Sequence, residues 1–328
     1  MLPILERVKR EYETGTVSKS VAIDFLINLF EHSCNEEIRI DILSILKKIK
    51  SNSQKLFKFL ENILISDSNN EIRKIAINII DVRFIDISFN VLKWAMIHED
   101  SIENYCLIVK TISKINSIKV REFFIEELGN LKESIKIKYE WLDTISKYEK
   151  LIRNFTKSKK INKFSTHHLG NILINYQIIA NLIKKYPNVA YELDKENGLV
   201  ISLDLSDLAM EPRGLPIGWK NNIKDLQEIK YISFLSELKT LNLANNQIHD
   251  ISGLEKLTNL THLYLENNKI KDKKILKVLN KINKLQLVDL HGNAVVKKLR
   301  IKDFNLKIKV ILNSYLDDLE KSLLSINN

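Results

Sequence analysis

The sequence predicts a multi-domain chain: an all-α solenoid of helical hairpins, followed by an α/β solenoid built on a parallel sheet. Three observations predict it. A nine-residue pattern with helical spacing recurs after 34 residues in the first half. A pattern of leucines closed by an asparagine recurs after 22 and then 25 residues in the second half. With 328 residues, 45% hydrophobic and 28% charged, the chain can bury two sizeable cores and lacks the composition of a disordered protein.

In residues 1–150, Asn35-Glu36-Glu37-Ile38-Arg39-Ile40-Asp41-Ile42-Leu43 returns as Asn69-Asn70-Glu71-Ile72-Arg73-Lys74-Ile75-Ala76-Ile77. Each copy opens a segment with apolar residues at helical spacing, such as Ile38, Ile42, Ile45, Leu46 and Ile49. Asn35 and Asn69 stand where a side-chain oxygen can accept from the free N–H groups of a first turn. Weaker echoes occur at Ile102–Cys106 and Ile135–Tyr139, with Glu103 and Lys136 at the arginine position. Amphipathic stretches Val21–Phe30 and Leu56–Ile65 lie between, so the expectation is paired antiparallel helices. Asn35–Leu43 and Asn69–Ile77 resemble HEAT-type repeats, whose second helix opens with a capping Asp or Asn, an apolar residue and then Arg. That resemblance spans roughly residues 17–148 and implies an extended binding surface. Trp94 and Trp141 could stack on bases, but each lies among apolar neighbours at helical spacing and reads as core.

Residues 151–187 form a connector with seven basic residues and no acidic one. A helix from Thr166 to Lys185, stopped by Pro187, follows the run Arg153–Phe164. One reading is a solvated linker with a helix capping the first solenoid. The other is an anion-binding surface, with Lys157, Lys159, Lys160 and Lys163 as contacts and Phe155 or Phe164 as anchors. His167 and His168 are adjacent, so on a helix they diverge by about 100° and cannot readily share a metal.

Residues 188–305 carry the second repeat. Leu238-x-x-Leu241-x-Leu243-x-x-Asn246-x-Ile248 is followed by Leu260-x-x-Leu263-x-Leu265-x-x-Asn268-x-Ile270, then Leu285-x-x-Val288-x-Leu290-x-x-Asn293-x-Val295. An opening copy runs Val200-x-x-Leu203-x-Leu205-x-x-Leu208. A short strand alternates its side chains, so Leu241 and Leu243 enter a core while Thr240 and Asn242 face out. These residues match the leucine-rich repeat family. Ile251, Leu254 and Leu257 continue at the three-residue spacing of its short 22-residue class, common in intracellular adaptors. The resemblance implies that Asn246, Asn268 and Asn293 form a structural ladder, bonding the turns of neighbouring coils. It also implies a concave parallel sheet that takes partners.

The outward positions on that sheet are Ser202 and Asp204; Thr240, Asn242 and Ala244; His262, Tyr264 and Glu266; Leu287, Asp289 and His291. Asp204, Asn242, His262, Tyr264, Glu266, Asp289 and His291 are the candidate partner contacts, with Tyr264 as an aromatic anchor. Histidines beside a glutamate can suggest metal or acid–base work, but no orienting group or cleft is evident, and they read as surface polar residues. Ahead of the opening copy, Asp194-Lys195-Glu196-Asn197-Gly198 predicts a hairpin that shields the first coil. The stretch 209–237 departs from the pattern. It holds the Pro212–Gly218 cluster and a helix near Leu226–Leu235, and reads as a degenerate repeat or an insertion. Residues 306–328 read as a C-terminal capping helix.

Charge and cysteine content narrow the function. Residues 1–150 balance, with 23 basic and 23 acidic groups; 188–268 are net acidic by five and 269–309 net basic by ten. Cys34 and Cys106 are too few for a disulfide framework or a four-ligand zinc site, and both read as small buried hydrophobes. Charges interrupt the N-terminal sequence before a signal-peptide core could form, and no apolar run approaches the roughly 18 residues that span a bilayer. The expected setting is reducing and cytoplasmic. The expected function is a non-catalytic protein–protein interaction scaffold or adaptor, without metal or cofactor. The alternative is a polyanion binder, for nucleic acid or an acidic membrane surface, through the basic blocks 151–187 and 269–309. In the second block its contacts include Lys273, Lys274, Lys297, Lys298 and Arg300.

Overall fold

Serine and asparagine mark the helix starts of the first half. The computed structural model describes residues 2–131, 143–186, 189–206, 222–304 and 307–313. Its first helices are α1 (Leu2–Glu13), α2 (Lys19–Glu31), α3 (Glu36–Lys48), α4 (Gln54–Ser66), α5 (Asn70–Arg83), α6 (Phe89–His98), α7 (Ile102–Ile112) and α8 (Ile118–Gly129). The side chains of Ser18, Asn35, Ser53, Asn69 and Ser101 accept from first-turn N–H groups of α2, α3, α4, α5 and α7. Each such cap contributes about 1 kcal/mol. α2 packs on α3, α4 on α5 and α6 on α7, while α5 packs between α3 and α7. The contacts are made by stripes such as Ile42, Leu43 and Leu46 of α3, and Ile72, Ala76, Ile77 and Ile80 of α5, all buried.

Neighbouring pairs are tied by charge. Arg39 on α3 donates to the carboxylate of Asp67, the residue that ends α4. One pair further on, Arg73 on α5 donates to both oxygens of Glu99, which ends α6, at 3.0 and 2.5 Å. Arg73 also reaches the carbonyl of Asp67 at 2.8 Å. Both arginines stand four residues after an N-cap. The third cap is Ser101, so the equivalent position is Tyr105, and Glu103 instead pairs with Lys74 at 3.0 Å. The repeat register therefore lies two residues from the one read at Ile102–Cys106.

Three sequence readings in this half need correction or fall outside it. Trp94 is 40% exposed and stacks on His98, because the buried stripe of α6 is Val91, Leu92, Ala95 and Met96 and Trp94 is out of phase with it. Cys34 lies exposed in the α2–α3 turn, beyond the last buried turn of α2, whereas Cys106 is buried and burial pushes its thiol up. The echo at Ile135–Tyr139 and Trp141 lie outside the described residues.

The described chain clusters into two compact units, residues 1–125 with 164–170, and residues 126–163 with 171–328. The second opens on α9 (Asp143–Lys157) and includes most of α10 (Thr166–Lys185). A six-stranded sheet follows: β1 (Ala190–Leu193), β2 (Val200–Asp204), β3 (Thr240–Asn242), β4 (His262–Tyr264), β5 (Leu287–Asp289) and β6 (Lys309–Ile311), in that spatial order. β1 runs antiparallel to β2, and its pairing slips between Glu192 and Leu193. All later pairs are parallel, with Leu203, Leu241, Leu263 and Val288 aligned and fully buried. Each such side chain contributes about 2 kcal/mol relative to exposure. A short helix, α11 (Ile275–Leu279), lies between β4 and β5.

The hairpin closes the first coil. Tyr148 on α9 donates to the carbonyl of Gly198 at 2.8 Å, and Asn175 on α10 accepts from the N–H of Val200 at 2.8 Å. Gly198 has φ +73°, and a side chain there would strike the Phe155 ring.

The stretch 209–237 resolves in its second part. Ile223 donates its N–H to Asn246 as Ile248 does to Asn268 and Ile270 to Asn293. From there Ile223, Leu226, Ile229, Ile232, Leu235 and Leu238 are all buried at three-residue spacing. Residues 223–238 are thus part of a regular coil, its 226–234 stretch a 3₁₀ helix kinked at Ile229. Leu205 and Ile223 are 18 residues apart where Leu243 and Ile248 are five apart, so the surplus of 13 sits between them. The Pro212–Gly218 cluster falls in that surplus, outside the described residues. Residues 309–311 are strand β6 and not the helix expected there: Val310 aligns with Val288, and a three-residue run with the β-branched pair Val310 and Ile311 satisfies the open edge of β5. The remainder of the expected capping helix, 314–328, lies outside the described residues.

Candidate functional site

Strand register brings four outward side chains into one row: Asp204 on β2, Asn242 on β3, Tyr264 on β4 and Asp289 on β5. A second row holds Ser202, Thr240, His262 and Leu287. Just past the strand ends come Ala244, Glu266 and His291. All seven sequence-nominated contacts therefore share one face of the sheet.

Three members of the first row fold back on their own backbone. Asp204 accepts from the N–H of Ser206 at 2.8 Å, Asn242 from Ala244 at 3.0 Å, and Asp289 from His291 at 3.1 Å. These bonds fix the side chains before any partner arrives. Asn242 also donates to the second oxygen of Asp204 at 3.1 Å, and His291 Nδ1 lies 2.8 Å from Asp289 Oδ1. Tyr264 has no acceptor to turn back with and stands between Asn242 and Asp289. His262 Nδ1 lies 2.9 Å from the hydroxyl of Thr261.

Glu266 differs from its neighbours. Its Oε2 is shut off from solvent and meets no hydrogen-bond donor among the described residues. Burial pushes its carboxyl above the usual range, a hydrogen bond from its own backbone N–H opposes this, the charges of Asp289 and Asp204 push it further, and His291 opposes them. Nothing in the sequence pattern separated Glu266 from the other outward residues, because its isolation depends on the coils on either side.

Beneath this face run the asparagines. The amide of Asn246 donates to the carbonyls of Leu205, Leu243 and Ala244 at 2.8 to 3.1 Å. Asn268 donates likewise to Leu243, Leu265 and Glu266, and Asn293 to Leu265, Leu290 and His291. Each also accepts one N–H of the coil before it, and all three are 4 to 6% exposed. The residue before each adopts positive φ: Asn245 at 56°, Asn267 at 54° and Gly292 at 72°. Asn267 donates to Asn245 at 2.8 Å, a second, outer ladder not read from the sequence. A Cβ on Gly292 would strike the Asn267 side-chain oxygen, so the third rung favours glycine.

The two basic blocks differ. In the first, Lys160 pairs with Glu196 at 2.7 Å and lies over the buried Phe155 ring. Phe155 is therefore a core residue, while Phe164 packs beside His168. Lys157, Lys159 and Lys163 are exposed. In the second, Lys273 and Lys274 pair with Asp303 and Asp272 at 3.5 Å. Lys269, Lys271, Lys297, Lys298 and Arg300 are exposed and form no ion pair among the described residues. His167 and His168 join no cluster: no group of three His, Cys, Asp or Glu residues could hold a metal ion among the described residues. Nor is any described helix long and apolar enough to cross a membrane.

Residues 236–277 match the family of Leucine Rich repeats (2 copies), a span that covers β3, β4 and the coils around them. No curated protein sequence matches the chain. The fold class is an all-helical region followed by an α/β leucine-rich repeat region with a six-stranded, mostly parallel sheet.

Proposed function

We propose that this chain is a non-catalytic interaction scaffold, acting in the cytoplasm, whose concave sheet face holds a segment of a protein partner. The carrying observation is the row Asp204, Asn242, Tyr264 and Asp289, three of whose side chains are already fixed by bonds to their own turns. Side chains ordered in advance lose less entropy on binding. Leucine-rich repeats are a common protein–protein interaction module, which supports the reading by analogy of fold. We read α2–α7 as HEAT-like repeats that offer a further surface on the same chain. The test is co-purification from the native host with wild-type and Tyr264→Ala chains. We expect a discrete protein partner to be lost from the variant while its thermal melt stays unchanged. A partner retained by Tyr264→Ala and also by Asn242→Ala ends the reading.

A second reading has its own support in the five exposed cations Lys269, Lys271, Lys297, Lys298 and Arg300, which form no ion pair among the described residues. Such a set binds polyanions by counterion release, so affinity for RNA or anionic vesicles should fall steeply between about 50 and 200 mM salt. Binding indifferent to salt in that range excludes it.

A further inference from the structure

The concave face is an unpartnered sheet face with a definite sign. Among the described residues its charged outward positions are Glu192, Asp204, Glu266 and Asp289 against the single cation Lys309 on β6. Asp204 and Asp289 are each held by donors of their own chain: Ser206 and Asn242 for the first, the N–H of His291 for the second. Oε2 of Glu266 is not. That oxygen has lost water and gained no donor, a state that costs free energy in the unbound protein. Its neighbours supply no donor to that oxygen: Asp204 and Asp289 repel it, and the His291 ring, which favours its charge, directs Nδ1 at Asp289.

We infer that the docked partner segment places an arginine or lysine side chain against Glu266, beside Tyr264. As Oε2 of this half-buried carboxyl turns out to the face, a guanidinium or ammonium group supplies the missing donor and answers the negative charge of the face in a single contact. Tyr264, two residues away on the same strand face, offers its ring to the flank of that cation. A bare metal ion is a poorer occupant, because no group of three ligating residues is assembled among the described residues. An acidic segment is repelled here and has the cations of 269–309 to bind instead. The inference rests on the concave face being the interaction face.

The test is a random dodecapeptide display library selected on the full chain, followed by titration of the selected synthetic peptides. Peptides carrying Arg or Lys at a common position, binding at least about ten-fold more weakly to Glu266→Gln and again when that residue becomes citrulline or norleucine, are the expected result. Glu266→Gln keeps the size and shape of the side chain, and a matching circular dichroism melt shows that the loss is not unfolding. Peptides that lose binding on Tyr264→Ala but not on Glu266→Gln overturn the cation anchor and leave the concave-face reading standing. Selection only of acidic peptides that depend on Lys297 and Lys298, or of no peptide sensitive to either concave substitution, overturns both.

Discussion

The helical and leucine-rich units meet the same problem, holding one repeat against the next, with different chemistry. Between helix pairs the tie is an ion pair: Arg39 to Asp67, and Arg73 to Glu99. Between β coils it is a neutral amide, Asn246, Asn268 or Asn293. Arginine only donates, so each tie needs a carboxylate placed on the neighbouring pair. An asparagine amide donates and accepts at once, and one residue satisfies backbone groups of two coils. Burial selects between them. The asparagines sit inside the coil, where a charge would be costly, while the arginines reach from partly exposed positions to buried carboxylates. A one-residue tie travels with its coil, here after 22 and then 25 residues. A two-residue tie can drift, and here the partners lie 28 and 26 residues from their arginines.

That contrast can be broken in order of expected effect. Asn268→Ala leaves the N–H of Ile248 unpaired inside the coil and takes one of two amide donors from each of the carbonyls of Leu243 and Leu265, and should cost about 2 kcal/mol in urea unfolding. A cost below about 1 kcal/mol would mean that water or a shifted turn replaces the amide. A double-mutant cycle on Arg73→Ala and Glu99→Ala should give a coupling near 1–2 kcal/mol, shrinking as salt is raised; no such shrinkage is expected at Asn268. Ser101→Ala should cost about 1 kcal/mol, the value of one N-cap, read as a small drop in Tm.

The smallest effect has the opposite sign. The fold raises the Glu266 carboxyl, chiefly by burial, so folding favours its protonated form. The contribution of this group to stability is greatest below its folded pKa and declines as pH rises through that value. Glu266→Gln should therefore raise Tm slightly at neutral pH, and the gain should vanish in acid. Melts from pH 4 to 8 of both proteins read this directly, and a Tm that falls on substitution at pH 7 contradicts it.

These ties also explain what was legible in the sequence. The leucine and asparagine spacing gave away the coils, and strand alternation placed Asp204, Asn242, Tyr264 and Asp289 on one face. Register between strands is set by the same buried leucines, so reading one reads the other. The charge ties were not legible, because Asp67 and Glu99 are merely acids at helix ends. The serine cap of α7 hid the third repeat's register, and Trp94 looked buried because periodicity alone does not fix phase within a short helix. Strand β6 was missed because three residues show no period. The isolation of Glu266 was beyond the sequence altogether, since it arises from Asp204, Asp289 and His291 on strands brought together only by folding.

The opposed direction of β1 has a consequence for how the molecule behaves in a crowd. Stacked parallel strands are a natural template for endless head-to-tail growth, as each open margin invites the next copy. Here the first margin points the wrong way and slips its pairing at Glu192 and Leu193, so an incoming parallel strand finds its hydrogen bonds out of step. An antiparallel end strand is thus a poor seat for a further parallel one.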